Sequence, residues 1–217
     1  MLATRKDARF WDRIAPRYAK MKVGDAAGFE RTLAATAARL APDHRVLEIG
    51  CGTATTALRL APGVARYVAS DVSAAMIAIG REKARAAGCA HIELVEGTAE
   101  DLAGNSAAPE GGFDAVLAFN VLHLVADRPA TLARLRGLLA PGGLLISKTP
   151  CLGEMNPVFR LVVPALRLVR MAPRTVAFVT AAALEEEMRD AGFEIVERAR
   201  HGSKPKDPRV YLVARRP

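Results

Sequence analysis

The stretch Glu48-Ile49-Gly50-Cys51-Gly52-Thr53-Ala54 places an acid two residues before a pair of glycines. Glycine takes positive φ and lets a ligand reach the main chain where a Cβ would stand in the way. Val46, Leu47 and Ile49 suit a strand covered on both faces, and Thr53 to Leu60 returns to helical spacing. A strand, a glycine turn and a helix in that order make a nucleotide-like ligand the first expectation. The second chemical residue is Asp71, 19 residues beyond Gly52 at the end of a strand read from Tyr67 to Ser70. Its two carboxylate oxygens match the vicinal diol of a ribose, and the capping of the next helix falls to Ser73. The third is His123. Of the four histidines, His44 and His91 precede strands and His201 falls in a late loop, so His123 is the acid/base candidate, with a packing role as the alternative.

A glycine pair after a strand also opens dinucleotide-binding domains, but the fit here is poor. Thr55 stands where that fingerprint wants its third glycine or alanine, and Glu48 would repel a pyrophosphate while accepting a cation or amino group. Tyr18 and Lys22 form the Y-x-x-x-K pair of a short-chain dehydrogenase, yet they precede the first strand, the wrong place for that chemistry. The E-x-G-x-G form instead resembles the first motif of the class I S-adenosylmethionine-dependent methyltransferases.

The resemblance runs over nearly the whole chain and is strongest from Arg45 to Gly143. It implies that Glu48, Gly50 and Gly52 receive the amino-acid end of the cofactor and that Asp71 binds its ribose. Met76 stands where the family packs an apolar side chain on the adenine, with an ordinary core methionine as the equal alternative. The family commonly shows G-D-A-x-x-L after the third strand; here Gly97-Thr98-Ala99-Glu100-Asp101-Leu102 has threonine for the aspartate. Adenine recognition is then left to the Thr98 hydroxyl or to Glu100, with the Ala99 backbone N–H reaching the ring. Phe10, Trp11, Asp12, Ala15 and Tyr18 match an N-terminal F-W-D-x-x-A-x-x-Y segment that lies over the cofactor pocket. Tyr18 is the lid candidate and Trp11 is read as structural. Within the family the chain looks most like the small-molecule group that includes the ubiquinone/menaquinone C-methyltransferases.

The elements that must position these residues follow from periodicity. Lys6 to Lys22 reads as an amphipathic helix broken at Pro16, and Phe29 to Leu40 as a helix covering the sheet. Strands are expected at Arg45, at Tyr67 to Ser70, at Ile92 to Val95, at Phe113 to Phe119 and at Leu144 to Ser147, with a helix from Ser73 to Ala87 and another from Thr131 to Leu139. Asn120, grouped with the cofactor-binding residues, and His123 follow the fourth strand, at the carboxyl end where ligands bind in open α/β sheets. A helix from Thr180 to Asp190 and strands from Phe193 to Ala199 and Val210 to Ala214 close the chain. The resemblance implies an α/β, Rossmann-like, seven-stranded, mostly parallel sheet with a closing antiparallel strand and helices on both faces.

At 217 residues the chain is expected to be one methyltransferase domain: a helical cover (1–42), a cofactor-binding core (43–150), a substrate-cover insertion (151–179), and a closing helix and hairpin (180–217). The insertion carries Arg160, Arg167, Arg170 and Arg174 on one side of a helix that Pro164 must bend or divide. A cover with a solvated arginine face is one reading; a lipophilic or anionic substrate met at a membrane surface through 155–176 is the sharper one. With 51% apolar and 25% charged residues, no apolar run of membrane-spanning length and no signal-peptide core, the chain reads as a cytoplasmic protein. Cys51, Cys89 and Cys151 are scattered, so neither disulfides nor a metal site is expected. The net charge of +8 comes without aromatic platforms or a basic tail, so no nucleic acid is expected. The expected function is methyl transfer from S-adenosylmethionine to an O, N or C atom of a small, lipophilic molecule. An NAD(P)-dependent oxidoreductase and a non-catalytic cofactor-binding regulatory domain stay open as alternatives, and the oligomeric state is not legible.

Overall fold

The computed structural model describes residues 5–89, 91–102, 109–168, 172, 173, 175–204 and 206–217, with the side chains of 5–7, 100, 159, 161 and 168 outside the description. Its strands are β1 (Arg45–Ile49), β2 (Arg66–Asp71), β3 (Ile92–Glu96), β4 (Phe113–Phe119), β5 (Leu139–Pro150), β6 (Glu194–Ala199) and β7 (Arg209–Arg215). They form one sheet in the order β3-β2-β1-β4-β5-β7-β6. The first five strands run parallel, and β7 lies antiparallel to both β5 and β6. The helices are α1 (Arg5–Ala19), α2 (Ala26–Ala37), α3 (Ala57–Leu60), α4 (Ala74–Ala86), α5 (Ala99–Leu102), α6 (Arg128–Leu138), α7 (Phe159–Leu168) and α8 (Ala181–Asp190). This is the Rossmann-like sheet with a closing antiparallel strand that the sequence leads one to expect.

Alternation along the strands splits the core between two faces. Leu47, Val68, Val116 and Leu145 pack with Leu132 and Leu135 of α6 and Leu184 and Met188 of α8. Val46, Tyr67, Leu117 and Ile146 pack on the opposite face with Leu33 of α2 and Ile77 and Ala84 of α4. Strand order reverses between β1 and β4, which opens a crevice at the carboxyl ends of both.

Capping side chains start the helices around that crevice. Ser73 Oγ accepts from the Met76 N–H at 3.1 Å, Asp127 from Ala130 at 3.0 Å, and Thr180 from Ala183 at 3.2 Å. Asp12 adds a tie between helices: its Oδ1 accepts from the Ser73 hydroxyl at 2.6 Å and from the Ala75 N–H at 3.1 Å, which docks α1 on the start of α4.

Three local expectations are corrected and a fourth is narrowed. The helix after the glycine loop does not begin at Thr53 but at Ala57, because Gly52 and Ala54 take φ of +55° and +61° and the chain turns for another two residues. Pro16 does not break α1; it removes one backbone bond three residues before the helix ends, while the fully buried Ala15 keeps the packing. Pro164 does not divide α7, which leaves a bend as the other half of that expectation. The turn at Pro141-Gly142-Gly143 lies inside a longer β5, where the register jumps from Phe113 opposite Leu139 to Ala115 opposite Leu144. The C-terminal tail satisfies its polar groups: Gly142 N–H donates to Arg216 O at 2.8 Å and Arg216 N–H to Gly143 O at 2.9 Å.

Candidate functional site

The carboxyl ends of β1, β2, β3 and β4 surround a cavity of about 360 Å³. One half is framed by backbone. Gly50 and Gly52 sit at φ +63° and +55°, in the left-handed region that favours glycine. The two glycines do different things. A Cβ on Gly50 would stand 2.6 Å from Val121 Cγ2, so this glycine lets the β1 and β4 loops meet. A Cβ on Gly52 would meet nothing nearer than Tyr18 Cε1 at 3.6 Å, so this glycine keeps a space open beneath the tyrosine ring.

Asp71 closes that half. Its Oδ2 accepts the Gly52 N–H and its Oδ1 the Ser73 N–H, both at 2.9 Å, while its own carbonyl accepts the Gly97 N–H at 2.9 Å. The carboxylate and the carbonyl of this one residue thereby tie three loops, and each carboxylate oxygen keeps a lone pair for a ligand hydroxyl. Burial raises its pKa against the opposing pull of the backbone N–H groups of Ser73 and Gly52. Glu48 is 3% exposed and takes a 2.8 Å hydrogen bond from the Tyr67 hydroxyl. Burial first, opposed by that bond and reinforced by the charge of Asp71, brings its pKa up to about 8. A cation beside it would restore the carboxylate.

The remaining expected residues divide. Tyr18, Met76, Thr98, Ala99 and Asn120 line the cavity with Glu48, Gly50, Gly52 and Asp71. Tyr18 is 44% exposed and Met76 buried at 2%. The Thr98 hydroxyl donates to Asp101 Oδ2 at 2.8 Å, and its N–H donates to the same oxygen at 2.7 Å, so the threonine is engaged as a helix start. Asn120 holds φ +55°, and its N–H donates to Lys148 O at 2.8 Å. The side chain of Glu100 lies outside the described residues. Trp11, read as structural, also lines the cavity, edge-on to Tyr18 at 6.4 Å. His123 does not line it: the residue stands in a single turn after β4, its Nδ1 buried without a partner. Burial, followed by the charge of Arg128, takes its pKa down to about 4, which makes it neutral and weakly basic at physiological pH.

The other half of the cavity was not anticipated residue by residue. Phe29, Thr32 and Leu33 of α2, Phe119 of β4, Lys148 of β5 and Arg209 of β7 form it, with Leu124, Pro173 and Thr175. The strand expected at Leu144 to Ser147 stops one residue short of Lys148. A lysine in a strand covered on both faces is the signal that would have found it. Pro173 and Thr175 bring the insertion to the cavity wall, while Arg170 and Arg174 lie outside the described residues. Among the described residues no cluster of His, Cys, Asp or Glu is arranged to hold a metal ion, and no helix is long and apolar enough to cross a membrane.

Comparison with known proteins agrees with this geometry. Residues 47–145 match a methyltransferase domain family. The demethylmenaquinone methyltransferase of Thermus thermophilus is 34% identical over 206 residues, which cover 84% of this chain and 90% of that protein. The ubiquinone biosynthesis O-methyltransferase of Azorhizobium caulinodans is 36% identical over 160 residues, 71% of this chain, and the match spans 60% of its length. The solved structure of the N-methyltransferase NodS from Bradyrhizobium japonicum with S-adenosyl-L-homocysteine shares the fold, at a TM-score of 0.68 and 19% identity over 98% of this chain and 99% of that one. The glycine loop, the locked aspartate and the nearly full-length relative place the chain in the class I S-adenosylmethionine-dependent methyltransferases.

Proposed function

We propose that the chain moves a methyl group from S-adenosylmethionine to an O, N or C atom of a small, largely apolar ring compound of the kind its quinone-pathway relatives are named for. The observation that supports this reading best is the single cavity joining the two halves. A frame of glycines and buried carboxylates opens directly onto walls of Phe29, Leu33, Phe119 and Leu124. The cytoplasmic setting expected from the sequence belongs to the same proposal, as does the reading of 151–179 as a cover over the acceptor.

The residues fit the cofactor. The space a Cβ on Gly52 would fill lies between the loop and Tyr18, the free lone pairs of Asp71 suit a ribose diol, and Glu48 suits an α-ammonium. When bound, the sulfonium supplies a methyl carbon that is already a good electrophile. What remains for the protein is alignment and the exclusion of water. The loop backbone and Asp71 fix one partner, Met76 and Ala99 wall the adenine side, Tyr18 covers the mouth, and the apolar half orients the acceptor. Much of the rate can come from that positioning.

Calorimetric titration with S-adenosylmethionine, S-adenosylhomocysteine and NADH tests the reading. The sulfur compounds are expected to bind and NADH not to. Asp71→Ala should weaken S-adenosylhomocysteine about 100-fold, since it removes the ribose acceptor and leaves the Gly52 and Ser73 N–H groups without theirs. Binding of NADH alone would return the chain to the oxidoreductase alternative, and tight cofactor binding with no transfer to any phenolic or quinone acceptor to the regulatory one.

A further inference from the structure

The acceptor half of the cavity ends on a buried ammonium. Lys148 is 5% exposed and pairs across the sheet with Phe119 and Tyr211, on the face that carries Leu117, Ile146 and Val213. A lysine there disrupts an otherwise apolar surface, and burying its charge is far more costly than burying a leucine. Its Nζ donates to Thr32 Oγ1 at 2.6 Å and to Gly28 O at 3.4 Å, both neutral. It belongs to none of the ion pairs among the described residues. An ammonium has three donors, so one N–H is left over in a group that lines the cavity.

The surrounding charges do not cancel it. Burial and then the charge of Arg209 lower the lysine pKa; Asp207 and Asp25 oppose them, and Arg31 adds a further cation. Both carboxylates have other partners, although Asp207 keeps its buried Oδ2 without a hydrogen bond among the described residues. Asp207 Oδ1 takes Arg209 Nε at 2.7 Å, and Asp25 accepts from Gly28 N–H, Ser203 N–H and the Ser203 hydroxyl at 2.9, 2.8 and 2.7 Å. His201, whose Nδ1 lies 3.2 Å from Thr32 Oγ1, has its own pKa lowered by burial and by the charge of Lys148. Three cations thus face two carboxylates, and Arg209 shares the cavity wall with Lys148.

We infer that the methyl acceptor is an aromatic molecule bearing an anionic oxygen, a carboxylate or a phenolate, which Lys148 and Arg209 receive while its ring lies among Phe29, Leu33 and Phe119. The inference rests on the methyltransferase reading for the word acceptor; the anion site itself does not. A lysine that only tied α2 to β5 through Thr32 would stabilise the fold but show no preference for anions.

The test titrates benzoate against benzamide, and 4-nitrophenolate against 4-nitroanisole, into the full chain at mildly alkaline pH, with and without saturating S-adenosylhomocysteine. At least one anion should bind about tenfold or more tightly than its neutral partner. Which anion it is separates carboxylate from phenolate. Lys148→Met should erase the preference while S-adenosylhomocysteine affinity stays within about twofold, and Lys148→Arg should retain much of it. Equal binding of anion and neutral compound, or a preference that survives Lys148→Met, overturns the inference; the second result would assign it to the basic surface at large. If Lys148→Met does not fold, a pH series on the unmutated chain decides. Anion affinity must fall as pH rises through the lowered lysine pKa, whereas a flat curve overturns the site. Failure of S-adenosylhomocysteine to bind with the anion preference intact would sink the methyltransferase reading and leave the anion site standing.

Discussion

The two halves of the cavity are built by opposite means. The cofactor half comes from loops at the ends of three adjacent strands, β1, β2 and β3, and backbone hydrogen bonds to Asp71 hold it together. The acceptor half comes from α2, β4, β5, β7 and the residues Pro173 and Thr175, and side chains such as Thr32, Lys148 and Arg209 hold it. A ligand shared by a whole family can be gripped by main-chain geometry, which tolerates substitution at every position except the glycines. A ligand particular to one chain must be read by side chains, which can change one at a time.

The two glycines of the loop offer the largest test of that contrast. Gly50→Ala brings a Cβ to 2.6 Å from Val121 Cγ2 at a left-handed φ, and overpacking with backbone strain should cost about 2–4 kcal/mol of stability. Adding Val121→Ala should recover the overpacking part. Gly52→Ala meets only an ordinary 3.6 Å contact, so its stability cost should stay near the ~1 kcal/mol of left-handed strain. Its S-adenosylhomocysteine affinity should fall much further, because the new methyl group occupies the ligand's space. Thermal melts and titrations of the two variants measure both numbers. If Gly52→Ala bound the ligand normally, the backbone cradle would lie elsewhere.

How much of this was legible in advance follows from the same contrast. Glu48, Gly50, Gly52 and Asp71 lie within 24 residues, on strands whose apolar runs announce themselves, so spacing proposed these residues and the family resemblance supplied the sheet and the roles expected of them. Lys148, Thr32 and Arg209 are brought together only by the packing of α2 on the sheet and by the antiparallel insertion of β7. No local pattern records such a meeting. Ala54 shows the limit at short range as well: it is fully buried at φ +61°, close to Gly80 of α4, and helix periodicity alone did not reveal that the helix starts three residues later. His123 looked chemical by residue type and position, yet the burial of its Nδ1 and its place outside the cavity lining are tertiary facts.

A medium effect is expected from protons. Glu48, with its pKa up to about 8, is mostly protonated in the free protein near neutral pH. An α-ammonium placed beside it would pull the pKa down, so binding S-adenosylhomocysteine should release between about half a proton and one proton. Calorimetry in buffers of different ionisation heat reads that number, and Glu48→Gln should bring it to zero. The sign for stability follows. A carboxyl whose folded pKa lies above its unfolded value contributes fully only below the ordinary carboxylate range, and the contribution is lost as pH rises through about 8. Glu48→Gln should therefore gain on the unmutated chain across that window, by a few kcal/mol. Binding without proton release would mean that the amino group sits away from Glu48.

The smallest effect should come from a partly exposed side chain over the cofactor half. Tyr18 is 44% exposed, its ring 3.6 Å above the space at Gly52, with the edge of Trp11 behind it. Tyr18→Ala should cost about 1 kcal/mol of stability, since the half-buried ring loses its contact with Trp11. It should weaken S-adenosylhomocysteine by about threefold to tenfold, because the open face of the ligand regains water. Tyr18→Phe should bind like the unmutated chain if the ring alone covers the ligand, and like Tyr18→Ala if the hydroxyl holds it. Equal affinity for all three would mean that the backbone frame carries the cofactor by itself, and that α1 is retained for the hydrogen bonds of Asp12 to the start of α4.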